Sequence, residues 1–481
     1  MFYLFFSIVI YIFLFFSVLL LLYFQLNLNL ISVSFEFFKL KLFLVIFVIV
    51  YIYMVFYIYM VFYELLVSYS FSFNPMFWIN KKPMTMSFVF NTFYFPFMYI
   101  FIIITFLTLI FCFSYNKSEL WSFSIYILFI LLAGFGLFFT NSLFLFFLFY
   151  EALLIPSFLI LYNYAKTRKC VEAAYMMFFW TQFGAMFLIF NFTYLFFITN
   201  STFFSNFFFS NFTAFQINFL LITLLVGFGV KFPIWPFYDW LPKAHVEAST
   251  NFSIFLSGVL VKFAFFGFLK CLLNLQLEPT VGWLYPFFLI GIIDASSKIY
   301  YQIDLKKLIA YATVIEMHWL LIAILNGQSV LWISSFCMLI SHALLSSNFF
   351  LVIDVITRRF KTRLITEING IYYLNPKLYF ATLVLLVTFL GFPGSLFFIS
   401  EFLFFAFLLD LNCSFFFFLI FILYFFVASC FFKNWFFMLF GYNYFFMNHK
   451  LISDLDTKEV FFLSFFVVII FWLGLSNHFF L

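Results

Sequence analysis

Apolar residues occur along the chain in long runs, and short polar segments separate the runs. A membrane-spanning helix needs about 20 consecutive, mostly apolar residues, so each run predicts one span. The first run is too long and too uniformly apolar for a cleaved signal peptide, and it lacks a basic n-region. We therefore predict fourteen spanning helices, at about 2–24, 42–63, 92–113, 121–139, 142–162, 173–198, 215–238, 249–273, 281–299, 307–326, 330–355, 378–408, 414–440 and 460–480.

Basic residues are distributed unevenly between the two sets of alternate loops. Three lie on one side, at Lys81, Lys82 and Lys270, and seventeen lie on the other. Basic loops mark the inner side of a membrane, so the asymmetry predicts that both termini face away from the basic side. The seventeen are Lys39, Lys41, Lys117, Lys166, Arg168, Lys169, Lys243, Lys298, Lys306, Lys307, Arg358, Arg359, Lys361, Arg363, Lys377, Lys450 and Lys458.

Composition agrees with a protein that resides in a membrane. Of the 481 residues, 67% are hydrophobic and 9% are charged, whereas about a quarter of the residues in a soluble domain are charged. No aqueous domain is predicted. The net charge of +5 follows from the loop asymmetry and indicates no nucleic-acid partner. The six cysteines form no CxxC pair, so no cysteine-based iron–sulfur or zinc site is expected.

Six ionisable residues lie inside predicted spans, each on a different helix. A charged side chain in the hydrocarbon core is costly unless a partner or water relieves the cost. One buried acid is compatible with helix packing, but acids and bases repeated at similar depth on six helices indicate a proton relay. The six residues are Glu151, Lys231, Lys262, Glu316, His342 and Glu401.

Lys433 is a less certain candidate for the relay. It lies about ten residues from the basic end of its predicted helix, and a lysine side chain can extend toward such an end. We therefore favour a structural role for Lys433.

Two of the predicted helices are interrupted by proline and glycine. Lys231 lies in GFGVKFPIWP, and Glu401 ends LGFPGSLFFISE. Proline removes a backbone donor and frees a carbonyl four residues back, which a membrane tolerates only where protein or water satisfies the freed group. Discontinuous helices often mark a transport path. An ordinary proline kink is the alternative.

The energetics of lysine indicate how such a relay would work. Burial disfavours the charged form of a lysine, whereas a nearby carboxylate favours it. A glutamate–lysine pair whose separation or hydration changes can therefore bind and release a proton. We hypothesise that Glu151 controls Lys231. Lys262 would then carry the proton across the membrane centre, and Glu401 would connect to the other face.

The residues around these positions resemble a known family, subunit 4 of respiratory complex I, the proton-translocating NADH:ubiquinone oxidoreductase. WLPKAHVEA is the most specific motif, and Glu401 favours subunit 4 because the sibling subunits 2 and 5 carry a lysine there. The resemblance covers about residues 85–440 and rests on FYEALLIPSF, VKFPIWPFYDWLPKAHVEAS, VLVKFAFFGFLK, DLKKLIAYATVIEM, LISHALLSS and LGFPGSLFFISE, in that order.

The resemblance implies an all-α, antiporter-like fold with two inverted five-helix repeats and broken helices in the seventh and twelfth spans. All of the six intramembrane residues except Glu316 match the titrating residues of the family directly. His245 matches a loop histidine that is a candidate aqueous mouth, with a solvated loop histidine as the alternative. The implied organisation is N-terminal helices at 1–113, a first repeat at 114–275, a second repeat at 276–442 and a C-terminal helix at 443–481.

The tenth predicted span departs from the family pattern. The family usually has SSISHM, with a histidine, where this chain has ATVIEM. Glu316 therefore occupies the position of the histidine, and His318 follows two residues later, some 200° around the helix. Either residue could supply the titrating group, and we favour Glu316.

The chain contains no glycine-rich dinucleotide fingerprint. The resemblance therefore implies that NADH, FMN, iron–sulfur clusters and ubiquinone bind in partner subunits. Expected partners are the other subunits of complex I, including siblings 2 and 5, and membrane lipids. The excess of 97 phenylalanines suggests a protist mitochondrial genome. The location would then be the mitochondrial inner membrane, with the basic side in the matrix and both termini in the intermembrane space.

Two other functions stay open at this point. A subunit of a multisubunit cation/proton antiporter shares the buried lysines and the broken helices, although WLPKAHVEA favours complex I. A structural membrane subunit with a decayed proton path is the third interpretation, and the retained intramembrane acids and bases argue against it.

Overall fold

The structure is a computed structural model that describes residues 72–73, 76–79, 82–85, 88–89, 95–110, 117–165, 167–204, 212–275, 284–408, 414–441 and 453–475. The first two predicted spans, 2–24 and 42–63, lie outside the described residues. Four short strands precede the first described helix and pair in antiparallel fashion, although the hydrophobic pattern predicted no strands. Strand β1 (Ser72–Phe73) pairs with β4 (Phe88–Val89), and β2 (Met76–Ile79) pairs with β3 (Lys82–Thr85).

The rest of the described chain is helical, which confirms the predicted all-α polytopic fold. Each predicted span from the third to the fourteenth coincides with one helix or with two or three consecutive helical segments. The helices of the described residues are α1 (Phe95–Ile110), α2 (Lys117–Phe139), α3 (Leu143–Ala152), α4 (Leu154–Asn163), α5 (Arg168–Thr199), α6 (Ala214–Gly229), α7 (Trp240–Glu247), α8 (Thr250–Phe255), α9 (Val261–Leu275), α10 (Tyr285–Tyr301), α11 (Leu305–Ile324), α12 (Ser329–Phe360), α13 (Ile371–Leu374), α14 (Pro376–Phe389), α15 (Leu396–Leu408), α16 (Ser414–Phe440) and α17 (Thr457–Leu475).

Eight helical segments of the described residues are long and apolar enough to cross a membrane. They differ in how much of their surface other helices cover. The most apolar stretches of Thr250–Leu275 and Ser329–Phe360 are entirely buried, whereas about a third of the corresponding stretches of Phe418–Phe440 and Thr457–Leu475 is buried. Thr250–Leu275 and Ser329–Phe360 therefore form the centre of the bundle. Phe418–Phe440 and Thr457–Leu475 present aromatic side chains to the outside.

Four helical interruptions lie beside ionisable residues. The two predicted ones are confirmed, because α6 ends at Gly229 before Lys231 and α14 and α15 are separated before Glu401. The other two were not predicted. The helices α3 and α4 meet at Leu153, and a π-helical segment, Leu256–Leu260, joins α8 to α9.

The connection after Lys231 is more ordered than the sequence predicted. The predicted spans 215–238 and 249–273 leave a connection between them, and there the chain forms a 3-10 turn, Phe237–Asp239, followed directly by α7. Trp240 is fully buried, and its indole Nε1 donates to the carbonyl of Val230 at 2.7 Å. This contact fastens α7 to the interrupted end of α6 and so positions the backbone around Lys231.

Candidate functional site

Lys231 is almost fully buried two residues after the end of α6. Its Nζ donates to the backbone carbonyl of Tyr150 at 2.8 Å and lies 3.6 Å from the centre of the Tyr150 ring. A carboxylate oxygen of Glu151 lies 3.8 Å from the same nitrogen. The fold therefore brings Glu151 and Lys231 together as an ion pair inside the bundle.

Glu151 lies next to the junction of α3 and α4. Pro156 is the third residue of α4 and has no N–H, so the helical hydrogen bonding is interrupted one turn before it. Gln182 of α5 donates to one carboxylate oxygen of Glu151 at 2.8 Å. The other oxygen, Oε1, accepts no hydrogen bond among the described residues and faces Lys231. The ion pair is thus held by α3, by α5 and by the segment that follows α6.

Lys262 is fully buried as the second residue of α9. Its Nζ donates to the backbone carbonyl of Ser257, which belongs to the preceding π-helical segment. Such segments inside α-helices frequently occur at functional sites. Glu316 of α11 is also buried and interacts electrostatically with Lys262. One carboxylate oxygen of Glu316 has no hydrogen-bond partner among the described residues.

Glu401 of α15 is buried beside the second interruption. The phenol of Tyr424 donates to its Oε1. Gly391 has a φ of 72°, and a Cβ at that position would overlap Oε2 of Glu401. The backbone angle therefore favours glycine, and a Cβ there would displace the Glu401 carboxylate. Glu316 interacts electrostatically with both Lys262 and Glu401.

Two predicted histidines interact electrostatically with Lys262. His342 of α12 is buried, interacts electrostatically with Lys262, and has no hydrogen-bond partner for either ring nitrogen among the described residues. His245 lies in α7, is fully buried and also lacks such partners. Its ring stacks on Phe350 with centroids 4.7 Å apart. This burial excludes the interpretation of His245 as a solvated loop histidine.

His318 makes a different kind of contact from Glu316. Its Nδ1 lies 2.7 Å from the carbonyl of Val314, and its Nε2 lies 3.0 Å from the backbone nitrogen of Trp235. Since a carbonyl only accepts and a backbone N–H only donates, Nδ1 donates and Nε2 accepts. Both ring nitrogens are engaged, and His318 holds the backbone that follows Lys231.

Lys433 lies apart from the buried residues. It is exposed on α16, and its Nζ lies 3.3 Å from the centre of the Tyr300 ring. A cation above an aromatic face is favourable, so the contact gives Lys433 a packing role at the outside of the bundle.

Lys270 was assigned to a loop by the sequence, and that assignment was wrong. The residue is buried near the end of α9. Its Nζ donates to the carbonyls of Leu137 at 3.0 Å and Phe138 at 2.7 Å, and to that of Thr140. These carbonyls end α2, where the helix dipole favours a cation. The position of Lys270 inside the predicted span 249–273 was the signal that could have revealed its burial.

Other contact residues were missed because nothing in the sequence marks them. Lys306 was also assigned to a loop, yet it is buried and its Nζ donates to the carbonyl of Ala248 at 2.7 Å, at the end of α7. Gln182 and Tyr424 are uncharged and occur in helices with many polar or aromatic residues. Only the packing of their helices shows that they contact Glu151 and Glu401.

The described residues contain no group of three or more His, Cys, Asp and Glu side chains that could hold a metal ion. Cys170, Cys271, Cys337 and Cys430 are free and buried.

The fold and the site define a class: a polytopic helical membrane protein with acids and bases buried where its helices are interrupted. The family model described as NADH:quinone oxidoreductase/Mrp antiporter, TM, matches residues 140–431. Three curated relatives carry the same name, NADH–ubiquinone oxidoreductase chain 4. The relative from Paramecium tetraurelia is 39% identical over 303 residues, which cover 62% of this chain and 63% of that protein.

The other two relatives are covered more fully. The protein of Chondrus crispus is 33% identical over 359 residues, with 69% of this chain and 72% of that protein covered. The protein of Marchantia polymorpha is 31% identical over 376 residues, with 76% and 74% covered. The chain therefore belongs to the NADH:quinone oxidoreductase/Mrp antiporter family of membrane subunits, among the chain 4 proteins of NADH–ubiquinone oxidoreductase.

Solved structures share the fold. A chain of respiratory complex I from Thermus thermophilus with bound NADH superposes with a TM-score of 0.78 at 19% identity, and the match covers 96% of each chain. A chain of the Mrp complex from Dietzia superposes with a TM-score of 0.74 at 14% identity, covering 91% of this chain and 90% of that one. The antiporter-like architecture is thus common to both assemblies.

Proposed function

We propose that this chain moves protons across the membrane as a membrane-arm subunit of respiratory complex I, coupled to NADH:ubiquinone electron transfer in other subunits. The observation that carries the proposal is the set of ionisable side chains buried at helical interruptions. One group is the ion pair of Glu151 and Lys231. The other is the electrostatically linked group of Lys262, Glu316 and Glu401.

Packing places the two groups in adjoining parts of the bundle. Phe232, which follows Lys231, contacts Phe265 of α9, with ring centroids 5.1 Å apart. Phe265 lies one helical turn beyond Lys262. A rearrangement around Lys231 therefore acts on the helix that carries Lys262.

The mutual stabilisation of opposite charges explains how lysines and glutamates can be kept inside the membrane. An isolated charge in the hydrocarbon core costs several kcal/mol, so a buried lysine and a buried glutamate stabilise each other's charged forms. When a neighbouring group gains or loses a proton, that stabilisation changes. Moving a charge against 100 mV requires about 2.3 kcal/mol, which is the scale of one such interaction.

Each ionisable residue has a proposed part in the path. Glu151 controls the charge of Lys231, and Lys262 carries the proton across the centre. Glu401 connects to the opposite face. His342 and His245 are buried without hydrogen-bond partners among the described residues. Their ring nitrogens are therefore free to exchange protons with a water that reaches them.

Glu316 takes the titrating position of the tenth span in this proposal, and His318 does not. Glu316 interacts electrostatically with Lys262, and one of its oxygens has no hydrogen-bond partner among the described residues. His318 uses both nitrogens to hold backbone groups. A residue engaged in this way cannot exchange protons without releasing the chain after Lys231.

The chain-level organisation follows the same proposal. The repeats are assigned to 114–275 and 276–442, flanked by 1–113 and 443–481, because each repeat contains one of the two interruptions that proline and glycine predicted, beside Lys231 and before Glu401. The location is the mitochondrial inner membrane, with the basic loops in the matrix and both termini in the intermembrane space. Protons move from the matrix to the intermembrane space.

The redox chemistry belongs to other subunits. NADH, FMN, the iron–sulfur clusters and ubiquinone are proposed to bind there, and this chain takes part in the translocase without a redox centre of its own. Its proposed partners include the sibling subunits 2 and 5 and the surrounding lipids.

A subunit of a cation/proton antiporter is the second candidate function, and the likeness to the Mrp complex is the observation that favours it. The relatives named chain 4 of NADH–ubiquinone oxidoreductase favour complex I. Purification of the native assembly and measurement of NADH oxidation separate the two, because an antiporter oxidises no NADH.

Substitution of Lys262 by methionine tests the proposed path. Methionine removes the charge but keeps an unbranched side chain, so Lys262→Met should abolish the proton movement of this subunit while the complex still assembles. Lys433→Met is the matched control, since Lys433 is an exposed lysine on a predicted span. Both variants are measured for proton pumping by assembled complex in vesicles. Unchanged pumping by Lys262→Met would refute the role of the buried group.

A further inference from the structure

A cluster of polar side chains outside the buried groups lies where the chain returns from the interruption after Lys231. We name it the Tyr238 cluster, consisting of Tyr238, Asp239, Asp294 and Lys298. The hydroxyl of Tyr238 donates to the Asp294 carboxylate. Nζ of Lys298 donates to that hydroxyl oxygen at 2.5 Å, to Asp294 at 3.1 Å and to Asp239 at 3.4 Å.

The cluster extends from the surface into the bundle. The side chains of Asp239, Asp294 and Lys298 are 55%, 35% and 34% exposed, whereas Tyr238 is buried. Water can therefore reach the two carboxylates. His245, the candidate aqueous mouth, is fully buried and cannot meet bulk water directly.

The cluster lies at the end of the bundle where basic residues collect. Lys298 is three residues from the end of α10. The following turn pairs with the segment after α12, since Leu305 N–H donates to the carbonyl of Arg363 at 3.2 Å and the Arg363 guanidinium lies 2.8 Å from Asp304. This is the face proposed to supply protons.

The cluster contacts α11, the helix that carries Glu316. Tyr311 of α11 packs edge-on against Tyr238 with ring centroids 6.2 Å apart, and it interacts electrostatically with Lys298 and Asp294. Tyr311 lies five residues before Glu316 on the same helix.

Two more ionisable groups lie on the helices that pack against α10, which carries Asp294 and Lys298. His318, also on α11, interacts electrostatically with Asp294. On α16, which packs against α10, Lys433 lies over Tyr300 rather than in the cluster.

We propose that the Tyr238 cluster takes up protons at the basic face and supplies them to the buried groups around Glu316. This inference rests on the proposed function. The Asp294 carboxylate relays a proton from water toward the buried groups. Only O–H bonds form and break, so the step needs no other reactant. The Tyr238 hydroxyl and Lys298 Nζ both donate to Asp294 and hold it at the boundary between water and the bundle.

The test uses the intact complex in vesicles with Asp294→Asn and Tyr238→Phe, the second of which keeps the ring and its packing. Glu172→Gln is the matched control, because Glu172 is an exposed acid of a helix that also pairs with a basic neighbour, Arg168, four residues away. Pumping is measured per assembled complex. We expect Asp294→Asn to slow pumping about tenfold or more near about pH 8 and less near about pH 6, because abundant protons compensate for a lost uptake group.

The outcomes separate this inference from the proposed function. Wild-type pumping by both cluster variants, or a loss that is equal at every pH, overturns the uptake role. If Lys262→Met abolishes pumping while the cluster variants pump normally, only this inference fails. If Lys262→Met also pumps normally, the proposed function fails. A pH-dependent loss in Tyr238→Phe, with Glu172→Gln unchanged, supports the uptake role.

Discussion

Replacing Glu151 by glutamine removes the carboxylate charge that faces Lys231 and keeps the size of the side chain. The two charged groups lie 3.8 Å apart. At that distance, an effective dielectric constant of about 20 gives an attraction of about 4 kcal/mol. Since one-fifth of the Glu151 side chain is exposed, screening by water reduces the interaction free energy to roughly 2 to 4 kcal/mol.

The effect on pumping follows from that free energy. If the pair interaction is used in one proton-transfer step, its loss slows pumping by a factor of about 30 to 1,000. The assay records vesicle acidification and NADH oxidation together, per assembled complex. Glu151→Asp keeps the charge and should retain much more activity than Glu151→Gln. The exposed acid Glu172, changed to glutamine, supplies the control for removal of a carboxylate.

A wild-type pumping rate in Glu151→Gln would refute the reasoning, because the ion pair would then contribute nothing to proton transfer. Equal losses in Glu151→Gln and Glu151→Asp would also count against it. In that case the shape of the side chain, including its bond to Gln182, would matter more than its charge.

Two further predictions concern Glu401 and the tenth span. Gly391→Ala should lower the thermal stability of the complex and slow pumping, because alanine at positive φ costs about 1–2 kcal/mol and its Cβ collides with Glu401. Gly394→Ala shares the positive φ but has no such collision, so a pumping loss as large as that of Gly391→Ala would contradict the argument. Glu316→Gln should stop pumping with little change in stability. His318→Leu should cost about 1–3 kcal/mol of stability by leaving a backbone N–H unpaired, while the complexes that assemble still pump; the reverse pattern would assign the titrating role to His318.

Much of the fold could be predicted from the sequence because the membrane imposes a simple rule. Backbone groups in hydrocarbon must be satisfied within helices, so apolar runs of suitable length indicate the helices without knowledge of their contacts. Proline and glycine likewise indicate the interruptions at Lys231 and before Glu401. The interruptions beside Glu151 and Lys262 were missed. A π-helical segment has no distinctive residue pattern, and Pro156 lies within an otherwise apolar run.

The candidate residues were predictable for a related reason, but their contacts were not. A charge inside an apolar run is conspicuous, which made Glu151, Lys231 and Lys262 stand out. Lys270 was misassigned because the sequence pattern alone does not distinguish a lysine near the end of a helix from a lysine in the following loop. Its burial depends on the three carbonyls that α2 presents to it, and those carbonyls come from a segment more than a hundred residues away.

The sequence by itself determined the membrane location, the sequence of helices and the identity of the ionisable residues, because hydrophobicity and helix breaking are local properties. The tertiary structure alone decided which charges meet. It set Glu151 against Lys231, buried Glu316 where it interacts electrostatically with Lys262, and placed both nitrogens of His318 in hydrogen bonds to the backbone. It also assembled the Tyr238 cluster. Coulomb and hydrogen-bond energies depend on distances of a few ångströms, and packing between helices remote in the sequence sets those distances.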